Sequence, residues 1–210
     1  MLLDLIYPPT CGICGKINKR SLCKKCEIKI KPCQINTIEN VNNKYFDYQI
    51  KILKYENLVR NKIIDYKFNE KSYLHKTFTK IILNNKKICS FLKKYDIIIH
   101  VPMHSKRKLI RGYNQTELIA KDLAKELQIK SVNNNLVKIK DTAKQSTLTK
   151  EQRKLNIKNV FKIKKAEEIK NKKIILFDDI YTTGSTVNEC SKVLKQAGAK
   201  EITVLTLAID

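Results

Sequence analysis

Glycine and proline are scarce in this chain, five and four residues among 210, and 42% of positions are hydrophobic. That balance excludes a disordered or linker-like polypeptide despite a charged fraction of 30%. No stretch approaches the roughly 18 consecutive apolar residues that span a bilayer. The opening Met1-Leu2-Leu3-Asp4-Leu5-Ile6-Tyr7 is short, carries an acid, and has neither a basic lead nor a small-residue cleavage site. A cytoplasmic location is therefore expected, with the seven cysteines reduced rather than paired. Nucleotide-loop signatures are missing too: there is no GxxxxGKS or GxxxxGKT run, and too few glycines for a dinucleotide-binding turn. Acidic residues number only 20 against 43 Lys and Arg, a net charge of +23. Such a surface attracts polyanions and releases their counterions, which suits nucleic acid or anionic lipid. The competing reading is a solvated Lys/Asn-rich surface with no partner.

The length suits one main domain and a small appendage. Cys11-Gly12-Ile13-Cys14 and Cys23-Lys24-Lys25-Cys26 are two CxxC pairs eight residues apart. Each can form a tight knuckle that aims two thiolates at one point, and together they complete a tetrahedral structural Zn²⁺ site with no open position for chemistry. Gly12 and Gly15 supply freedom for the turns, and Lys16, Lys24 and Lys25 offset the negative charge of the site. A redox CxxC would be single and would follow a strand. Cys33 reads as a buried thiol that could replace one ligand, while Cys89 and Cys190 read as core.

From about residue 34 to 94 the chain is Lys/Asn-rich, with Leu53, Leu58, Ile63 and Ile64, then Phe78, Ile81 and Ile82, at helical spacing. Two or three amphipathic helices are expected there, and no catalytic constellation. His75 reads as a surface or satisfied histidine.

Two strands ending in polar signatures carry the functional argument. Asp96-Ile97-Ile98-Ile99-His100-Val101 runs into a basic loop containing Lys106, Arg107, Lys108 and Arg111, then an Asn114-Gln115 pair read as exposed. Such a loop at the carboxyl end of a strand suits a diphosphate. His104 beside it is either an acid–base candidate or a positional residue. The second signature is sharper: Lys173 to Phe177 is a buried strand that delivers Asp178 and Asp179, and Thr182-Thr183-Gly184-Ser185-Thr186 then turns into a helix. Backbone N–H groups and hydroxyls there can cradle a phosphate, aided by the helix dipole, with Gly184 allowing close approach. The two acids can accept hydrogen bonds from vicinal ribose hydroxyls and, at one remove, steady a Mg²⁺ carried by a diphosphate. Strand alternation sends them to opposite faces. Strands near 97–101, 132–139, 158–163, 173–178 and 201–208, with helices near 116–128 and 185–197, predict an α/β fold with a mostly parallel sheet and helices on both faces.

At these residues the chain resembles the ComF family of phosphoribosyltransferase-like competence proteins. The matches are Leu5-Ile6-Tyr7-Pro8-Pro9 before the CxxC pairs, Tyr55-Glu56 through Tyr66-Lys67-Phe68, Val101-Pro102-Met103-His104 and Arg111-Gly112-Tyr113-Asn114-Gln115. Gln145-Ser146-Thr147-Leu148 with Arg153, Asn156 and Phe161, and the run from Asp178 to Thr186, complete the pattern. The resemblance implies a type I phosphoribosyltransferase fold in which residues 178–186 bind phosphoribosyl diphosphate, 103–111 form the diphosphate-side loop, and 140–157 form a flexible loop over the ligand. It implies three regions: a zinc-binding module over 1–35, a helical connecting region over 36–95 and the phosphoribosyltransferase-like domain over 96–210. It further implies a role in DNA uptake, handling incoming single-stranded DNA on the cytoplasmic side, beside a competence helicase and inner-membrane channel and peripheral to that membrane. No nucleobase-holding hood is evident, so no acceptor is implied. The alternative is an active phosphoribosyltransferase of nucleotide salvage.

Overall fold

Lys173–Tyr181 and Glu201–Ile209 are apolar almost throughout, as strands covered on both faces must be, and they lie side by side at the centre of the molecule. The structure, a computed structural model, describes residues 8–142, 149, 152 and 155–210. Numbered along the chain, its strands are β1 (Gln34–Asn40), β2 (Tyr48–Lys54), β3 (Ile97–His100), β4 (Lys130–Ser131), β5 (Leu136–Lys138), β6 (Phe161–Ile163), β7 (Lys173–Tyr181) and β8 (Glu201–Ile209). The helices are α1 (Lys24–Ile30), α2 (Asn57–Phe68), α3 (Leu74–Leu83), α4 (Lys86–Leu92), α5 (Ser105–Arg111), α6 (Gln115–Leu127) and α7 (Ser185–Gln196). Six strands form one sheet in the order β1-β2-β8-β7-β3-β4, parallel except for the β1–β2 pair.

Strand alternation divides the core into two layers. Ile98, Ile175, Phe177, Leu205 and Leu207 pack with Ile63 of α2, Phe78 of α3, Ile88 of α4 and Leu123 of α6. Ile97, Ile99, Ile174, Leu176 and Val204 pack on the other side with Val187, Cys190 and Leu194 of α7. Helices therefore cover both faces, as the sequence predicts, and every parallel strand ends at the same rim.

Two expectations are corrected. The region read as helical from residue 34 begins with β1 and β2, and only then gives three helices. Ile50 and Ile52 alternate as a strand requires and are fully buried, because β2 lies between β1 and β8 and is covered on both faces. The sheet thus takes in a strand from the segment read as a helical connection. Strands were also expected in the main sheet near 132–139 and 158–163. Instead β5 and β6 pair with each other as a separate antiparallel ribbon, and β4 alone joins the sheet edge.

The cysteine module joins the same core: Cys11, Leu22, Cys26 and Ile30 pack with Leu74 and Phe78 of α3. Thr77 Oγ1 donates to the Ser21 carbonyl at 2.8 Å, and Asn84 Nδ2 to Glu27 Oε1 at 2.6 Å. Gly12 owes its identity to this contact rather than to a turn. A Cβ there would lie 2.2 Å from Thr77 Oγ1, whereas Gly15 does adopt a left-handed φ of +72°.

α2 and α6 are locked to each other at the rim. The fully buried Tyr66 donates its hydroxyl to the Gln115 carbonyl at 2.8 Å, and Tyr113 donates to the Tyr66 carbonyl. Tyr66→Phe leaves a buried carbonyl short of a donor, so urea unfolding should show a loss of about 2 kcal/mol with an unchanged m-value.

Candidate functional site

The first candidate centre is the cysteine quartet. Its four Sγ atoms lie within 4.8 Å of one another, and Cys14 and Cys23 are 3.9 Å apart. A tetrahedral Zn–S site of about 2.3 Å radius has edges of about 3.8 Å, so the thiols suit zinc. Burial pushes the Cys11 thiol up, but N–H groups of Cys23, Cys14 and Ile13 outweigh it and bring it down to about 6. Cys26 moves the other way, raised by burial and by its contacts with Cys23, Cys14 and Cys11, so the quartet shares protons until a bound Zn²⁺ takes the sulfurs as thiolates. Cys33 lies outside the quartet and packs half-buried on the core, as does Cys89, while Cys190 is buried. Around the quartet, Lys16, Lys19, Arg20, Lys24, Lys25 and Lys29 line a concavity of about 770 Å³.

The second centre lies at the carboxyl rim of the sheet. β7 ends at Tyr181, residues 182–184 bend, and α7 starts at Ser185. Gly184 sits at φ +72°, and a Cβ there would meet the Tyr181 hydroxyl at 2.3 Å, so only glycine lets the turn close under that ring. Thr183 Oγ1 and Ser185 Oγ are 2.9 Å apart, which brings two hydroxyls to the helix start beside the first-turn N–H groups.

The two acids face opposite layers. Asp179 points toward α2 and α6, is 6% exposed, and its Oδ2 receives Lys67 Nζ at 2.9 Å and Gln115 Nε2 at 3.2 Å. Asp178 points the other way; its Oδ1 accepts the Asp179 N–H at 2.9 Å, and its charge reaches Cys190 of α7. Desolvation first, then the charge of Asp179, raises the Asp178 carboxyl to about 8, against the opposing pull of Lys67. A Mg²⁺ bound directly to the acids does not fit their donor set; the ion expected here is one carried by a diphosphate, at one remove from them. One oxygen is already taken by an ammonium and an amide, and the other carboxyl is held toward its neutral form.

The basic segment read as a loop is helix α5, capped by Gly112 in the left-handed region. Its cations diverge. Lys108 Nζ binds Glu117 Oε2 at 2.8 Å, and Arg107 reaches the Thr142 carbonyl and Asp141, the latter at 3.6 Å. Arg111 turns inward over the Phe68 ring at 5.2 Å, close enough for the charge of Asp179 to act on it. No ion pair involves Lys106 among the described residues. Asn114 and Gln115 are buried rather than exposed, because Asn114 caps α6 and Gln115 holds Asp179. His104 stands at the start of α5, its Nδ1 3.9 Å from Asp141 and without a hydrogen bond. His75 is satisfied by Asp122 at 2.6 Å. Of the loop expected over 140–157, Gln145 to Leu148 and Arg153 lie outside the described residues.

Sequence reasoning missed Lys67. It sits in a helix otherwise read as packing and is one of 43 Lys and Arg; its place within the Tyr66-Lys67-Phe68 match was the available signal.

Residues 2–37 match the double zinc ribbon domain, and residues 116–210 match the phosphoribosyl transferase domain. "Competence protein F" of Haemophilus influenzae is 35% identical over 147 residues, 68% of this chain and 64% of that protein. "Competence protein ComFC" of Streptococcus pneumoniae is 29% identical over 92% of this chain and 79% of its own length. The chain belongs to the ComF family. Within the ComF family it is also similar to "DNA utilization protein YhgH" of Salmonella typhi, 34% identical over 53% of this chain. It spans about half the length of that relative (48%) and just under two thirds of the Haemophilus one. Among solved structures, the purine phosphoribosyltransferase of Pyrococcus horikoshii is similar at 22% identity and a TM-score of 0.40, over 66% of this chain and 75% of that one. The two domain matches give this ComF-family chain a phosphoribosyltransferase-like fold, preceded by a zinc ribbon with structural zinc. No helix among the described residues is long and apolar enough to cross a membrane.

Two outcomes are expected. Metal analysis should find one zinc per chain, and Cys26→Ser should lose it and lower the midpoint of thermal unfolding, because ribbon folding is coupled to metal binding. The raised carboxyl of Asp178 has its own signature. A folded value near 8 against an ordinary 3.8 means its stabilising contribution is complete below 3.8 and is lost as pH rises through about 8. Urea unfolding of the ligand-free protein should therefore show Asp178→Asn gaining on the natural chain as pH rises from 5, with the gap levelling off above about 8.

Proposed function

We propose that this protein acts in natural competence, handling incoming single-stranded DNA at the cytoplasmic face of the inner membrane, and that residues 178–186 hold a phosphorylated ribose, with phosphoribosyl diphosphate as the reference ligand. The observation that carries the ligand is the junction of β7 and α7. A buried strand ends in two inequivalent acids, and a glycine-closed turn then presents hydroxyls and helix N–H groups within a few residues. Asp178 and Asp179 would meet the sugar hydroxyls, and Thr182, Thr183, Gly184, Ser185 and Thr186 would surround the 5′-phosphate. Of the α5 cations, Arg111 would serve a diphosphate from the acid side, a reading supported by its field on Asp179.

The nucleic-acid part rests on charge and on the names of the relatives. A net charge of +23, with six cations around the concavity beside the cysteine quartet, supports a polyanion partner. Relatives called competence and DNA utilization proteins support DNA as that polyanion. The competence helicase and inner-membrane channel remain the protein partners that the family resemblance suggests. No acceptor base is assigned, so turnover of the diphosphate forms no part of this reading.

Calorimetric titration with phosphoribosyl diphosphate tests the ligand. Asp178→Asn/Asp179→Asn should weaken binding at least tenfold while circular dichroism stays unchanged; equal affinity in that variant would overturn the site. A single-stranded oligonucleotide should bind at low salt and lose affinity steeply as salt rises. In cells, deletion of the gene should stop labelled transforming DNA from reaching the cytoplasm, and diphosphate release with any nucleobase would favour the transferase instead.

A further inference from the structure

Lys67 reaches the acid pair from a part of the fold with no other claim on it. It sits in the last turn of α2, and its Nζ lies 2.9 Å from Asp179 Oδ2. The contact is sheltered, the two side chains being 18% and 9% exposed, so salt screens it little. It is also held from behind. The neighbouring Tyr66 donates to the Gln115 carbonyl, and Gln115 Nε2 donates to the same Asp179 oxygen at 3.2 Å. Lysine, amide and carboxylate thus form one braced unit across α2, α6 and β7.

The unit leaves capacity unused. An ammonium carries three donors, and Asp179 accounts for one of them. Gln115 is 6% exposed, and its Oε1 has no hydrogen-bond partner among the described residues. A buried, unsatisfied acceptor beside spare donors fits a ligand bearing both hydroxyls and anionic oxygens. Arg111 adds a second cation whose field meets that of Asp179. A divalent ion placed here would face two fixed cations and a carboxylate oxygen already shared by two donors. Among the described residues, only the cysteine quartet brings three or more metal-ligating groups together.

Taking residues 178–186 as a sugar-phosphate site, as argued above, we propose that Lys67 is the resident cation of that site. Its ammonium already holds the Asp179 oxygen that a directly bound ion would use, so the chain binds a phosphorylated ribose without a metal on its acid pair. On binding, Lys67 holds Asp179 toward the ribose diol and offers its remaining N–H groups to an anionic oxygen, while Gln115 Oε1 accepts from a hydroxyl. Lys67 acts here as a ligand-binding and positioning residue, with no bond made or broken.

The test is calorimetry on the full chain with two probes, ribose 5-phosphate and phosphoribosyl diphosphate, each in excess EDTA and in millimolar Mg²⁺. The natural chain should bind both, with the affinity for the diphosphate changing less than about threefold on chelation. Lys67→Met should lose about tenfold or more in EDTA and recover part of that loss in Mg²⁺, while Lys67→Arg keeps binding without metal. If Lys67→Met proves unstable, Lys67→Gln serves in its place. A natural chain that loses tenfold or more in EDTA, or a Lys67→Met chain that binds as tightly as the natural one, overturns the role of the lysine. Failure of ribose 5-phosphate to bind in either buffer is a different result: it removes the sugar-phosphate site itself, and this inference with it.

Discussion

Asp179 lies at the tip of a strand buried on both faces, and an ionised carboxylate in that position is costly unless donors surround it. Lys67 and Gln115 supply those donors from α2 and α6, and Tyr66 and Tyr113 fix the two helices to each other at the same level. The burial of one charge therefore fixes how α2 and α6 meet the tip of β7, on a sheet and apolar core that hold the rest of the amino-terminal half. Take the contact away and the rim loses its reference point, because the phosphate turn follows Asp179 by only a few residues.

Alternation along β7 gives the two adjacent acids different chemistry. Asp178 faces the layer of α7 with little to receive its charge beyond the Asp179 N–H, while Asp179 faces two donors. Identical side chains one residue apart thus meet different surroundings because a strand turns each successive residue over.

The zinc ribbon is part of the same packing scheme. Gly12 lets the first knuckle approach Thr77 of α3, and Cys11 and Cys26 share a core with residues of that helix. α3 in turn is tied to α6 by His75 and Asp122. Zinc holds the knuckles, and the knuckles cover apolar surface on the helices that present Lys67 and Gln115. A metal site with no open coordination position can in this way still contribute to the geometry of the rim.

Features set by neighbours in sequence were legible from sequence alone. The two CxxC knuckles, the run from buried strand through Asp178-Asp179 and Gly184 into a helix, and the bounds of α6, α7 and β8 need only local geometry and periodicity. What the fold decided was partnership between distant segments. Residues 48–54 become a strand because β8 offers them a parallel edge, Asn114 and Gln115 are buried because α6 meets the tip of β7, and the α5 cations separate because Glu117 and Asp141 draw two of them away. Lys67 was marked only by its place in the Tyr66-Lys67-Phe68 match: among 43 cationic side chains, charge and periodicity single out none, and tertiary packing alone brings this one to within 2.9 Å of Asp179.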